Sequence, residues 1–278
     1  MRRFLLAAAT CWIGSGAYAA DLPVLRGGLT DGLSTSSVNW QGFYVGGQAG
    51  YGSSDEHFTG SNADMIAVLL DHNVIQEMGV SQWNLGFGGQ SQRSTGYGAF
   101  AGYNWQWDDA VLGVEASYLH ASFGGTASAF KELVSGTPLS DGLFHDVAVT
   151  STSAIAISDM ATFRGRAAWA YECFLPYAFG GVALGNANIS RFVSISDSVA
   201  APVTGVTPPV PGPFGPPAIL TATDAVHSHL IYGYTGGLGV DINLIQGLFM
   251  RAEWEYVRFT TRIGTTINTA RAGLGYKF

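Results

Sequence analysis

Charged residues are scarce in this chain, at 12% of 278 residues, which is about half the share that is usual in a soluble domain. Long apolar runs are also lacking. Beyond the first twenty residues, no stretch approaches the eighteen or more apolar residues that a membrane-spanning helix needs. Low charge nevertheless indicates contact with lipid. Because only helices and closed barrels satisfy their backbone groups in hydrocarbon, the sequence predicts a transmembrane β-barrel.

Cysteine is nearly absent, with two residues in the chain. Cys11 lies within the export signal described below, so the exported chain keeps only Cys173. One thiol cannot form an internal disulfide, and we therefore expect the stability to come from the sheet. Cys173 is predicted to lie in a turn, with a disulfide between two molecules as the alternative.

The first nineteen residues have the pattern of an export signal. A basic start at residues 1–3 precedes an apolar core at 4–13 and the small-x-small sequence Ala17-Tyr18-Ala19. This pattern predicts a signal peptide over 1–19, cut after Ala19, because the apolar part is too short for a membrane anchor. Loss of Arg2 and Arg3 would change the formal charge from −7 to −9, which argues against nucleic-acid binding.

The last ten residues, 269–278, alternate strictly between two faces. One face is apolar and ends in Tyr276 and Phe278, and the other is polar and carries Arg271 and Lys277. Side chains two apart in a strand point the same way. A free strand of this kind invites pairing with other chains, so we expect it to close a barrel by pairing with the first strand.

Similar alternation predicts seven more strands and an all-β fold, an eight-stranded antiparallel up-and-down transmembrane β-barrel with three long extracellular loops. The predicted strands cover residues 42–53, 95–107, 110–123, 158–171, 174–190, 226–242, 248–262 and 269–278. Short turns alternate with long loops, as in outer-membrane barrels with short periplasmic turns. Both termini are then periplasmic, residues 20–40 form a flexible periplasmic lead, and the barrel covers 41–278. The predicted long loops are 54–94, 124–157 and 197–225.

Two loop segments and the fifth strand depart from simple alternation. Residues 64–79 of the first loop are spaced for a short helix, and the proline-rich residues 207–217 are expected to be mobile or extended, because proline lacks the backbone donor. In the irregular fifth strand, the side chains predicted to face outward are Leu175, Tyr177, Phe179 and Ala183, which would turn Val182 and Leu184 inward.

The inward faces carry the only chemically distinctive group of residues. The predicted interior charges are Glu115, Asp241, Glu253 and Glu255 with Arg164, Arg166, Arg251, Arg271 and Lys277. Buried charges must pair, and an eight-stranded barrel is about wide enough for its own side chains. We therefore interpret the group as a salt-bridged plug, with a narrow solute pathway as the alternative.

Catalytic and metal sites are not predicted, nor is a cofactor. His227 and His229 share a strand face, but two ligands without a third fall short of a zinc site. Aromatic residues near the strand ends are typical of the membrane-interface girdles of barrels. They are Phe43, Tyr51, Trp105, Tyr118, Tyr171, Trp254, Tyr276 and Phe278.

Several sequence pieces carry a resemblance to a known family. They are Ala20-Asp21-Leu22-Pro23, Trp40 to Gly47, Ala49 to Gly52, Gly102 to Gln106, Gly113 to Ala116, Arg164 to Arg166, Leu175 to Tyr177, Gly180 to Ala183, Glu253 to Tyr256 and Thr269 to Phe278. With these pieces the chain resembles the small outer-membrane β-barrel proteins of alphaproteobacteria, the porin-family or surface-antigen type of rhizobia and brucellae. The proline-rich loop and Glu172-Cys173-Phe174 depart from that pattern.

The resemblance implies a structural, surface-exposed envelope protein. The implied partners are outer-membrane lipid, lipopolysaccharide, an unidentified extracellular ligand of the loops, and the barrel assembly machinery, which would read the terminal Tyr276 and Phe278. Three functions are therefore considered: a structural and surface-interaction barrel, a small porin for ions or solutes, and, as the weakest case, a lipid-acting enzyme.

Overall fold

The computed structural model describes residues 38–261 and 263–278. The predicted signal peptide, its cleavage after Ala19 and residues 20–37 of the lead lie outside the described residues. None of the helices in the described part of the chain has the length and apolar character needed to cross a membrane.

Eight antiparallel strands in the described residues form one closed barrel, in which each strand pairs with its neighbours in sequence and β8 pairs with β1. The predicted closure by the last strand is confirmed, for example by the pairing of Gly50 with Arg271. The strands are β1 Gly42–His57, β2 Gln90–Trp107, β3 Ala110–Val134, β4 Phe144–Trp169, β5 Phe174–Ala200, β6 Ala218–Ile245, β7 Leu248–Phe259 and β8 Gly264–Lys277.

Burial alternates along the strands as the sequence predicts, with β5 as the exception. In β1, Tyr44 and Gln48 are buried in the interior, whereas Phe43 and Tyr51 are exposed on the outer surface. All the aromatic residues predicted for the girdles are exposed as well. The alternation follows because one face of each strand meets lipid and the other fills the lumen.

The predicted facing of β5 is wrong. Leu175, Tyr177 and Phe179 are buried in the interior, and Val182 is 55% exposed on the outer surface. The prediction assumed that large apolar side chains face lipid. In this barrel the aromatic rings of β5 face inward because buried guanidinium groups stack on them.

The second and third predicted loops, 124–157 and 197–225, are too long. Strands β3 and β4 continue to Val134 and from Phe144, and β5 and β6 continue to Ala200 and from Ala218. These extensions form a four-stranded sheet that projects beyond the rest of the barrel, and we call it the projecting sheet. The sequence predicted loops here because this sheet contains many Ser and Thr residues. Its inward positions, among them Val147 and Val193, are nevertheless apolar and buried.

At the ends of the other strands the differences are smaller. Strand β1 continues to His57 and β2 begins at Gln90. Strand β7 ends at Phe259 and not at 262, and β8 begins at Gly264 and not at 269. The connection between β7 and β8 is therefore short, as predicted.

The first loop contains the short helix predicted within residues 64–79. Helix α1 covers Ala63–Leu69 and is followed by two 3₁₀ turns, Val74–Met78 and Val80–Gln82. Its buried side chains pack against the inner face of the projecting sheet, in a cluster that includes Ile66, Leu70, Ile75, Val149 and Ile195. Nearby, the Arg191 guanidinium of β5 donates to Asp64 Oδ1 at 2.8 Å and to the carbonyl oxygen of Ser61 at 2.8 Å. The first loop is thus fixed to the sheet by apolar packing and by an ion pair.

Backbone hydrogen bonds join the two arms of the proline-rich third loop. Val203 N donates to Val210 O at 2.9 Å, and Gly212 N donates to Ala201 O at 2.9 Å. The prolines supply no donors, but the N–H groups between them close an irregular hairpin. Val210 and Gly212 therefore take part in backbone pairing, which the proline-rich composition of the segment does not predict.

His145, at the start of β4, holds the tip of the projecting sheet together. Its imidazole is 2% exposed. One ring nitrogen lies 3.0 Å from Asp141 Oδ2 in the hairpin loop, and the other lies 2.9 Å from Asp197 Oδ1 on β5. Burial opposes the charged ring, but the two carboxylates outweigh it and raise the pKa of His145.

This raised pKa predicts pH-dependent order at the tip. Because the folded-state pKa lies above the unfolded value, the stabilisation is complete below that unfolded value, about pH 6.5, and is lost as the pH rises through the folded pKa. We expect hydrogen-exchange protection of residues 144–147, corrected for the intrinsic pH dependence, to fall over that range. The Asp197→Asn variant should lower the pKa of His145 measured by NMR, whereas Asp71→Asn should leave it unchanged. Equal pKa values in both variants would contradict the assignment.

Candidate functional site in the barrel interior

Eight charged side chains meet in the middle of the barrel, and we call them the interior ion cluster. Each is at most 4% exposed. They come from five strands because inward positions recur every second residue on each strand. The members are Glu115 of β3, Arg164 and Arg166 of β4, Asp241 of β6, Arg251, Glu253 and Glu255 of β7, and Arg271 of β8.

Arg164 connects opposite walls of the barrel. Its two terminal nitrogens donate to the two oxygens of Glu253, at 2.7 and 2.8 Å, and its Nε donates to Glu115 Oε1 at 3.0 Å. Paired, parallel bonds of this kind are among the strongest that a guanidinium makes. The arrangement ties β4 to β3 and, across the interior, to β7.

Arg251 and Arg166 share the remaining carboxylates. Arg251 donates from Nε to Asp241 Oδ1 at 2.8 Å and from Nη1 to Glu115 Oε2 at 2.8 Å. Arg166 Nη2 donates to Asp241 Oδ2 at 2.7 Å. Arg271 pairs with Glu255, which also accepts a hydrogen bond from Thr235. Every member of the cluster therefore has a partner of opposite charge.

Lys277, which the sequence predicts in this group, lies apart from it. Its Nζ donates to the carbonyl oxygen of Gln41 at 3.2 Å, at the end of the barrel that carries the short turns. The residue faces inward but is too near the end of its strand to reach the cluster. The predicted imbalance of four acids and five bases becomes four carboxylates and four guanidiniums.

Aromatic rings complete the site, and the sequence analysis did not identify them as part of it. The guanidinium carbon of Arg251 lies 3.9 Å from the ring centroid of Phe100, and that of Arg166 lies 3.9 Å from the centroid of Tyr177. The hydroxyls of Tyr44 and Tyr177 donate to Glu115 and Glu253, at 2.7 and 2.9 Å. The sequence feature that could have identified these rings is an aromatic residue at an inward position close to an inward arginine.

Glycine in β6 makes room for these rings. A Cβ atom built on Gly239 would lie 2.4 Å from the Tyr177 ring, and one on Gly237 would lie 2.5 Å from the Phe179 ring. Such distances are too short for carbon atoms in contact. Gly237 and Gly239 therefore serve packing of the interior rings.

Two apolar layers enclose the interior ion cluster. The layer at the short-turn end contains Trp40, Tyr44, Phe100, Leu175 and Phe249. The layer towards the long loops contains Phe58, Leu119, Met160, Phe259 and Ile267 among others. The ions are thus separated from water at both ends, which strengthens their mutual attraction but makes any unpaired ion costly.

Trp40 reaches the interior because the segment before β1 crosses the mouth of the barrel. Val38 N donates to the carbonyl oxygen of Glu172 at 3.4 Å, and Trp40 N donates to Gln106 Oε1 at 2.6 Å. The predicted flexible lead extended to residue 40, but Trp40 is buried. The end of that lead is therefore part of the folded barrel.

The histidines considered for metal binding lie elsewhere. His227 and His229 are exposed on β6. Among residues 38–261 and 263–278, no group of three or more His, Cys, Asp or Glu side chains could hold a metal ion. The interior ion cluster has acids and bases that neutralise each other, and its arrangement suits cross-linking of the walls.

Comparison with known proteins identifies the family. The sequence model described as "Outer membrane protein beta-barrel domain" matches residues 7–278. The chain belongs to this outer-membrane β-barrel family. The match covers all the strands, so family and fold agree with the prediction made from the residues.

Curated relatives of this barrel share the expected location. The chain is 24% identical over 250 residues to a 22 kDa outer membrane protein of Rhizobium leguminosarum bv. viciae, covering 86% of this chain and 79% of that protein. It is 23% identical over 296 residues to the 31 kDa outer-membrane immunogenic protein of Brucella melitensis, covering both proteins completely. The barrel is an outer-membrane protein of a Gram-negative bacterium. These relatives' names describe no enzyme, in agreement with the non-enzymatic prediction.

Solved outer-membrane proteins show weaker likeness to this barrel. The outer membrane protein OprG of Pseudomonas aeruginosa has a TM-score of 0.37 at 13% identity, covering 86% of this chain and 96% of that one. Neisserial surface protein A has a TM-score of 0.34 at 14% identity, covering 85% and 97%. Similarity at this level says nothing about function.

The interior ion cluster predicts a large effect of a single neutralisation. Replacing Glu253 with Ala leaves Arg164 short of a buried partner, and we expect a loss of about 3–5 kcal/mol in the free energy of unfolding. Urea unfolding of the barrel in lipid vesicles measures it. The control, Glu132→Ala, removes an exposed glutamate of β3 and should change stability by less than about 0.5 kcal/mol. A similarly small loss for Glu253→Ala would mean that water reaches the cluster.

Proposed function

We propose that this outer-membrane barrel is a structural and surface-interaction protein whose lumen is closed. The observation that carries the proposal is the neutral interior ion cluster held between two apolar layers. A pore would need a continuous wet path through both layers. The cluster instead joins opposite walls with bonds that a passing solute would have to break.

The energetic argument concerns the carboxylates and guanidiniums of the cluster. Each passing ion would displace at least one buried pair, and an uncompensated buried ion costs several kcal/mol. The surrounding rings of Phe100 and Tyr177 add further stabilisation to the arginines in place. A static, paired cluster therefore supports rigidity of the wall better than transport.

The surface role depends on the long-loop end. We infer that the short turns lie in the periplasm with both termini, since outer-membrane barrels generally have short periplasmic turns and longer outer loops. The projecting sheet, helix α1 and the proline-rich loop would then lie outside the cell. The immunogenic character named for the Brucella relative supports a surface-exposed role, and the extracellular ligand of these loops stays unidentified.

Lipid and lipopolysaccharide are the partners that the outer surface fits. Aromatic rings are exposed near both ends of the outward faces, as at Trp105 and Tyr118, where interfacial aromatics meet headgroups. Tyr276 on β8 and Phe278, which follows the strand, are 48% and 74% exposed. This accessibility supports recognition of the terminal aromatic residues by the barrel assembly machinery.

Closure predicts the result of a conductance measurement. The purified barrel in planar bilayers should give no steady unitary conductance, because the lumen is filled by paired side chains. Steady conductance that changes with Arg164→Gln and not with Arg93→Gln, an exposed arginine, would overturn the closed-barrel proposal in favour of a small porin.

The terminal aromatic residues predict an assembly defect. Deletion of Phe278 should leave export to the periplasm intact and reduce insertion into the outer membrane, since the assembly machinery would lose its terminal contact. Surface labelling of whole cells and fractionation measure the two steps. Deletion of the exposed loop residue Gly205, which is remote from the carboxy-terminus, should leave insertion normal. Normal surface display without Phe278 would refute the assignment.

A further inference from the structure

Three neighbouring irregularities in strand pairing lie along one line of the barrel wall, near the long-loop end. The strand pairings shift register at three neighbouring places: between His120 and Phe123, between Ile157 and Asp159, and between Ala187 and Ile189. Since Phe123 pairs with Ile157 and Ile157 pairs with Ala187, the shifts lie side by side. Bulges bend the strands that contain them, so this line marks the base of the projecting sheet.

One glycine shows how closely the strands approach there. Gly124 has a φ of +146°, and a Cβ atom built on it would lie 2.0 Å from the carbonyl oxygen of Ile155. A larger residue is therefore excluded on both backbone and steric grounds. In β6, Ser228 has a φ of +52° at the same line.

A groove of about 350 Å³ follows this line on the outer surface of the sheet. Its floor is formed by small residues, Gly124, Ala154 and Ala156 among them. Its rim carries amides, hydroxyls and an imidazole, and none of its lining residues is Asp, Glu, Lys or Arg. The polar lining residues are Gln92, Ser122, Thr126, Asn188, Ser190 and His227.

Aromatic rings and a carboxylate lie directly below the groove, on the membrane side. The rings of Tyr97 and His120 lie 5.4 Å apart. Asp159 Oδ1 accepts from the Tyr118 hydroxyl at 2.6 Å and lies 2.8 Å from His120 Nδ1. Tyr97 is 68% exposed and Tyr118 is 45% exposed. This cluster forms part of the outward aromatic surface, next to the base of the projecting sheet.

We propose that the groove binds the saccharide headgroup of an outer-leaflet glycolipid. Sugar rings present many hydroxyls, which both donate and accept, and the groove offers neutral groups that do the same. Their apolar faces suit the exposed rings of Tyr97 and Tyr118. The uncharged lining gives no basis for selecting a phosphate or a sulfate, which arginine and lysine recognise.

Position decides between a lipid-borne sugar and a free one. The groove begins immediately beyond Asp159 and His120, so its occupant stands at headgroup height above the aromatic surface. A glycolipid whose acyl chains lie along the barrel is already held there, whereas a free saccharide has to be captured from water. This inference rests on the proposed orientation, with the long-loop end outside.

The test uses the full barrel in lipid nanodiscs, with rough lipopolysaccharide as the probe. Native mass spectrometry measures the lipopolysaccharide retained per barrel. We expect Ala156→Leu, which fills the floor, to reduce affinity about tenfold. Thr126→Val removes one hydroxyl and should reduce it several-fold. The matched controls are Ala148→Leu on the same strand and Thr223→Val on β6, neither of which lines the groove.

Each outcome of this experiment decides the proposal. Reduced retention in both groove variants and unchanged retention in both controls would support it. Equal retention in all four variants would overturn it, as would equally tight retention of phosphatidylglycerol in place of lipopolysaccharide. Equally tight binding of the free core oligosaccharide would overturn the lipid-borne source. The change in gel migration on heating checks that each variant is folded. If the closed-barrel proposal is correct, none of the variants shows steady conductance in planar bilayers.

Discussion

Pairing of buried charge is the constraint on which this barrel depends. Four carboxylates and four guanidiniums share a space that eight strands can barely enclose. Each of them is tolerated only because partners from other strands reach it, as Glu115 is reached by Arg164 and Arg251. The cluster therefore requires the whole ring of strands to be in register. A shift of one residue would turn these side chains towards lipid.

The apolar and aromatic layers on both sides of the cluster strengthen this pairing. Trp40 and Phe249 lie on one side of the ions, and Phe58 and Phe259 lie on the other. By excluding water, they raise both the strength of each pair and the penalty for breaking one. Rigidity of this kind suits a barrel that supports a large projecting sheet, in which helix α1 is fixed by the pair between Arg191 and Asp64.

Much of this architecture follows from the sequence because period-two alternation reports which face meets lipid. The strand count, the closure by β8 and most inward charges follow from it. It was misleading for Tyr177 and Phe179, because an aromatic ring is equally at home against lipid and against a guanidinium. The strand predicted from this alternation also ended too early, at Phe123, because the Ser and Thr residues of the projecting sheet are typical of loops. Lys277 lies apart from the cluster because of its position along the barrel axis, near the end of β8. Alternation shows which face a residue occupies but not its position along that axis.

The neutrality of the interior ion cluster has a consequence for how the protein responds to its surroundings. Because its eight charges cancel, the formal charge of −7 lies entirely outside the cluster. Ionic strength and divalent cations therefore act on the loops and the projecting sheet, where screening by water and salt is strong. The cluster itself carries no net charge on which the medium could act. Surface behaviour can thus vary with salt, and with sequence changes in the loops, without disturbing the interior that holds the fold.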